Sequence, residues 1–244
     1  MGAQDSAING AGEFPVTSWS LVARLQGSSD EQRHRALETL CRRYWPPVYC
    51  FVKRAWAKSP DDARDLTQAF FLQLLEGDAL RRYDPGRGTF RTYLKVMIRG
   101  FASDQRDAAQ TLKRGGQVKT FALDGVDGSL KEVLVDDTAA SPDQAFDAQW
   151  RKQILEHAMD RTRRFFKDAG RDIQFAAFEA YDLAPGGKAT YGDVAAKLGL
   201  KETIVRNYLY EVRERLRGEI RTELSQTVAD RDQLEEEWKA LFAP

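Results

Sequence analysis

The 244 residues have room for one large or two small domains, and a hydrophobic share of 42% is enough for real cores. Lys plus Arg and Asp plus Glu are equal at 37 each, which argues against a chain that holds nucleic acid by bulk charge and allows basic patches offset by acidic segments. Two cysteines and two histidines offer no zinc spacing, no apolar run approaches a membrane span, and the thiols fit a reduced, cytosolic protein.

Residues 1–17 are polar and Gly-rich, lack a charged-then-apolar signal pattern, and read as a disordered tail. A short helix is expected over residues 18–26, with Ser18 as cap and Gly27 as stop. The next begins at Ser29 or Asp30 and runs through Ala36, Leu37, Leu40, Cys41 and Tyr44. The Pro46-Pro47 pair predicts a break or kink, because proline inside a helix removes a hydrogen bond and costs about 3 kcal/mol. The apolar pattern resumes at Val48, Tyr49, Phe51, Val52 and Trp56. Ser59-Pro60-Asp61-Asp62 combines a cap, a proline and first-turn acids, and starts a helix to about residue 80. Leu66, Ala69, Phe70 and Leu74 share its inner face, Phe71 and Leu75 lie one turn round, and Asp62, Asp65 and Gln68 face out.

A Gly/Pro loop, Asp84-Pro85-Gly86-Arg87-Gly88, then opens onto a helix that starts near Phe90. Arg91, Lys95, Arg99 and Arg106 fall on one face of it, and Phe90, Leu94, Met97, Ile98 and Phe101 on another. A cationic stripe with Tyr83 and Tyr93 at its edges suits a surface that grips a phosphate backbone and stacks unpaired bases. A solvated basic face explains the same pattern. Residues 117–142 hold no helical or strand period and more acids than bases, which marks a linker and a domain boundary.

Helical periodicity returns at Pro142 with Phe146, Trp150, Ile154, Ala158 and Phe165, and a shorter helix covers residue 172 to about 183. Thr190-Tyr191-Gly192-Asp193 is a capping box, in which two side chains satisfy free backbone N–H groups at the helix start. Its helix carries Val194, Ala195 and Leu198, Gly199 supplies a turn, and a longer helix from Lys201 buries Val205, Leu209, Val212, Leu216 and Ile220. Arg206, Tyr210, Arg213 and Arg217 face the other way. This is the pattern of a helix-turn-helix, although a plain helical hairpin shares much of it. The last segment forms a short acidic amphipathic helix with Asp230 as cap, Leu234, Trp238, Leu241 and Phe242 on one side, and Glu235, Glu236 and Glu237 between them. Too short to be stable alone, it must dock on something.

Four motifs in this order resemble the extracytoplasmic-function group of bacterial RNA polymerase sigma factors. Tyr44-Trp45-Pro46-Pro47-Val48-Tyr49 resembles a helix of the promoter-melting domain, and residues 61–72 the helix that docks on the polymerase clamp. Phe90-Arg91-Thr92-Tyr93-Leu94 is similar to the family's Phe-Arg-x-Trp-Leu, and residues 190–216 to its promoter-reading helix-turn-helix. Tyr93 stands where Trp is usual, Gly100 where Asn is frequent and Ala69 where Glu is frequent, while Tyr208 and Glu211 replace frequent basic residues.

The resemblance implies an all-α protein with no catalytic residues, metal or cofactor. It implies a core-polymerase-binding and minus-ten-melting domain over residues 18–114, a linker over 115–142, a minus-thirty-five-binding domain over 143–224 and a C-terminal extension over 225–244. Asp62, Asp65, Gln68, Phe71 and Leu72 would meet core RNA polymerase. Tyr83, Arg87, Arg91, Tyr93, Lys95 and Arg99 would meet minus-ten DNA, with a base flipped toward Tyr83 and the loop. Lys201, Thr203, Arg206, Asn207, Tyr210 and Arg213 would meet minus-thirty-five DNA. The partners implied are core RNA polymerase and promoter DNA. Control by an anti-sigma factor, by a Ser/Thr kinase at Thr67, or by an acidic tail that covers the helix-turn-helix stays open. The rivals are a regulator acting without polymerase and a helical enzyme. The second finds no phosphate loop, no HExxH and no nucleophile–His pair in local spacing.

Overall fold

The computed structural model describes residues 30–56, 59–76, 78–112, 141–187 and 189–242. Every regular element among them is helical, as the sequence predicts. The expected tail, the helix over residues 18–26 and nearly all of the linker lie outside the described residues, as does the side chain of Arg106.

Helix α1 (Asp30–Ala55) contains both Pro46 and Pro47 as one continuous helix, so the predicted break is absent. The flanking residues give the reason. Tyr44, Trp45, Val48, Tyr49, Cys50, Phe51 and Val52 are all buried, and each large apolar side chain contributes about 1.5–3 kcal/mol, enough to outweigh two lost hydrogen bonds. Burial also pushes the Cys41 thiol up to about 11 and the Cys50 thiol up to about 12, which leaves both inert.

Helix α2 (Pro60–Glu76) starts where Ser59 accepts a hydrogen bond from the Asp62 backbone N–H at 3.1 Å. A one-turn helix α3 (Ala79–Arg82) and a 3-10 turn (Pro85–Arg87) lead to α4 (Phe90–Leu112). Gly88, with φ of 135°, makes the entry to α4 that a side chain would strain. Helix α5 (Pro142–Asp168) is capped by Ser141 in a capping box with Gln144. Next come α6 (Asp172–Asp182), a turn at Pro185–Gly187, α7 (Tyr191–Leu198), α8 (Glu202–Ser225) and α9 (Arg231–Phe242). Asp230 caps α9 by accepting from the Gln233 N–H at 2.9 Å.

Two apolar cores result, and their division cuts across the chain order. The smaller one joins Phe166 at the end of α5 to α6, α7 and the first half of α8. The larger joins α1, α2, α3 and α4 to Ala145, Phe146, Trp150, Ile154 and Ala158 of α5, Ile220 and Leu224 of α8, and Leu241 of α9. Trp150 stacks on Tyr44 with ring centroids 5.0 Å apart, and both rings are fully buried. The segments before and after the linker therefore share one interior.

Candidate nucleic-acid interface

On α2, Asp62 and Asp65 are exposed, and Gln68 and Leu72 are half-buried. Together they form an acidic and polar strip open to a partner. Phe71 does not belong to it. Its ring stacks on Trp45 at 5.5 Å and meets Phe70 edge-on, so the apolar side chain serves the protein's own core. Thr67 is likewise buried, and its hydroxyl donates to the Ala63 carbonyl at 2.7 Å, out of a kinase's reach.

The loop before α4 is tied to the domain beneath it. Tyr83 is buried, its ring set edge-on against Phe90, and its hydroxyl donates to the Gly88 carbonyl at 3.2 Å. Burial pushes the Tyr83 hydroxyl far above its ordinary value of 10.0. Tyr83 thus braces the loop from inside, where it cannot stack a base. Tyr93 is half-buried and donates to the Ala79 carbonyl at 2.6 Å, while Arg87 projects into solvent.

The cationic face of α4 exists, but carboxylates from distant parts of the chain cover it. Arg91 is only 7% exposed at its side chain. Glu237 of α9 holds its guanidinium in a fork, with Nε 2.8 Å from Oε2 and the terminal nitrogen 3.1 Å from Oε1. Asp147 of α5 takes the other terminal nitrogen. Burial works to lower the Arg91 pKa, but the two carboxylates outweigh it and the net shift is upward. Lys95 donates to both Asp147 oxygens at 2.9 and 3.0 Å, and Arg99 pairs with Asp143. The ammonium of Lys95 also lies 5.9 Å from the centroid of Phe146.

The three adjacent glutamates of α9 have three fates, because successive residues sit about 100° apart on a helix. Glu235 pairs with Arg221 of α8, Glu236 faces solvent, and Glu237 is buried on Arg91. The hydrogen bond from Arg221 holds the Glu235 carboxyl below its usual range. Gln233 donates from its amide to the Pro85 carbonyl, so α9 also touches the loop before α4. The tail helix therefore covers Arg91 of the α4 face, and it meets α8 at Arg221, beyond the helix-turn-helix stretch of residues 190–216 that the sequence suggested it would cover. Beneath it, Glu223 of α8 meets Arg43 of α1 at 3.4 Å and Arg161 of α5 at 2.7 Å, a distance reached without hydrogen-bond alignment on Oε1.

Beside the smaller core, Thr190 caps α7, and its backbone N–H and hydroxyl both donate to Asp193. Gly199 turns the chain in the left-handed region at φ 65°, and Leu200 N–H donates back to the Ala195 carbonyl at 2.9 Å. Helix α8 then sets out Lys201, Thr203, Arg206 and Asn207 in solvent, with Tyr210 66% exposed. Arg206 lies over the Tyr191 ring at 4.9 Å. Arg213 is less available: it is half-buried and forks onto Asp182 at 2.7 and 3.0 Å. Glu211 pairs with Arg171.

The family model for Sigma-70 region 2 matches residues 33–111, which takes in most of α1, all of α2 and α3, the loop, and α4 up to its last residue. Over that segment the chain is similar to sigma-70 region 2. No curated protein and no solved structure matched. The sigma-70 region 2 holds Arg91, Lys95 and Arg99, whereas Asp143, Asp147 and Glu237 all lie outside the matched segment.

Those three acids, with Gln233, are what sequence reasoning missed. One signal was present: Asp143 and Asp147 are spaced four apart, like Arg91, Lys95 and Arg99, so two helices side by side can pair them rung by rung. No group of His, Cys, Asp and Glu among the described residues is arranged to hold a metal, and no helix there is long and apolar enough to cross a membrane.

Proposed function

We propose that this chain is a sigma factor of the extracytoplasmic-function type, which binds core RNA polymerase, recognises a promoter and opens it. The observation that carries the reading is the region 2 match over a domain whose α2 turns Asp62 and Asp65 outward. Asp62, Asp65, Gln68 and Leu72 form the polymerase-docking strip, where carboxylates meet basic groups and Leu72 adds apolar contact. Arg87, Arg91, Lys95 and Arg99 hold the backbone of the melted minus-ten strand. Unstacking a base costs a few kcal/mol, and polymerase contacts supply what protein–base stacking does not return. Helices α7 and α8 act as a helix-turn-helix, with Lys201, Thr203, Arg206 and Asn207 toward base edges of the minus-thirty-five element and Tyr210 toward phosphate. The chemistry is recognition, and no residue is assigned to bond making. Cytoplasmic location follows from the partner.

Gel filtration with core polymerase, followed by run-off transcription on a promoter library, tests the proposal. Co-elution and discrete transcripts are expected. A chain that binds duplex DNA but neither co-elutes nor directs transcription would be a regulator acting without polymerase.

A further inference from the structure

The contacts of α9 fall on the parts of region 2 assigned above to nucleic acid. Glu237 occupies Arg91, and Gln233 occupies the backbone of the loop at Pro85. Two oxygens in a fork on a guanidinium are what a backbone phosphate offers the same side chain. The neighbouring helix α5 cannot leave easily, since Phe146, Trp150, Ile154 and Ala158 anchor it in the larger core. Helix α9 is held far less firmly. It has 12 residues, only Leu241 among its apolar side chains is fully buried, and Leu234, Trp238 and Phe242 are partly so. An isolated helix of that length is marginal in water, so its place depends on these few contacts.

We propose that α9 is a latch, in which Glu237 takes the phosphate position on Arg91 and Gln233 holds the Pro85 loop, so that single-stranded nucleic acid must displace the helix to reach Arg91 and that loop. The proposal rests on reading the α4 face as the nucleic-acid surface. Closure lowers apparent affinity by the fraction of molecules that are open, and anything that weakens the latch raises affinity by the same factor.

The test uses the full chain and a labelled single-stranded DNA oligonucleotide. Affinity is read by anisotropy, and amide hydrogen exchange is followed over residues 231–242. Glu237→Gln removes the charge from the fork; Glu236→Gln makes the same charge change on the exposed neighbour. The latch predicts that Glu237→Gln speeds exchange in α9 and tightens DNA binding by about tenfold, while Glu236→Gln changes neither. It also predicts that DNA added to the unsubstituted chain speeds exchange in α9. Should Glu237→Gln fail to fold, Gln233→Ala carries the test, because it frees the loop without a change of charge and should move both readouts the same way. Equal behaviour of the Glu237 and Glu236 variants, or α9 amides that stay protected with DNA bound, would overturn the latch. The two readings fail separately. Tighter DNA binding by Glu237→Gln in a chain that never co-elutes with core polymerase keeps the latch and removes the sigma assignment. Co-elution with two indistinguishable glutamate variants does the reverse.

Discussion

Helices α4 and α8 both carry bases at helical spacing opposite an apolar face, yet the fold treats them differently. On α4, Arg91 is buried under Glu237 and Asp147, Lys95 is bound by Asp147, and Arg99 by Asp143. On α8, Lys201, Arg206 and Asn207 stand in solvent and Tyr210 is 66% exposed. A basic stripe in a sequence thus specifies a need for negative charge but not its source. On α4 the chain pairs the bases with acids from other helices; on α8 Arg213 is paired with Asp182, while Lys201 and Arg206 at its start stay exposed.

The contrast can be broken most severely at the shared core that brings the acids to α4. Trp150→Ala removes the ring stacked on Tyr44 and should cost about 3–5 kcal/mol in urea unfolding, with loss of the α4 ion pairs as a consequence. Next in size is Arg91→Ala, which strands a buried carboxylate at Glu237 and should cost about 3 kcal/mol.

Acid should loosen the same unit through Glu223, which ties the end of α8 to α1 and α5. Burial works to raise its pKa, but the imidazole of His157 at 3.7 Å and the charges of Arg161 and Arg43 outweigh burial and hold it below 4.5. The unfolded chain therefore takes up this proton first. The stabilisation is fully present above pH 4.5 and is lost as pH falls through the lower folded value. Glu223→Gln should flatten the decline of thermal stability in that acidic range, measured by circular dichroism. The smallest effect belongs to the open helix: Arg206→Ala should stay within about 0.5 kcal/mol of the parent, since its ion-pair partner Glu202, 3.8 Å away, is itself exposed.

Local chemistry was legible in the sequence. The caps at Ser59, Thr190 and Asp230, the start of α4 at Phe90 and the Gly199 turn all depend on neighbours within a few residues. Most of what failed depends on contacts far apart in the chain. Pro46 and Pro47 stay helical because α1 from Leu37 to Ala55 is packed on other helices. Phe71 and Tyr83 lie at the edge of an apolar face, where periodicity does not decide between core and surface. The partner of Arg91 is 146 residues away, and three neighbouring glutamates looked equivalent until the helix phase separated them.

The central claim is that Arg91 of α4 is closed off by Glu237 of α9 in the free protein, and a double-mutant cycle on Arg91→Ala and Glu237→Ala tests it most directly. Urea unfolding of the parent, the two single variants and the double variant gives the coupling. A closed α4 face predicts that the double variant is less destabilised than the sum of the singles by about 2–3 kcal/mol. Additive losses would mean that the two side chains do not meet in solution, and that would contradict the account.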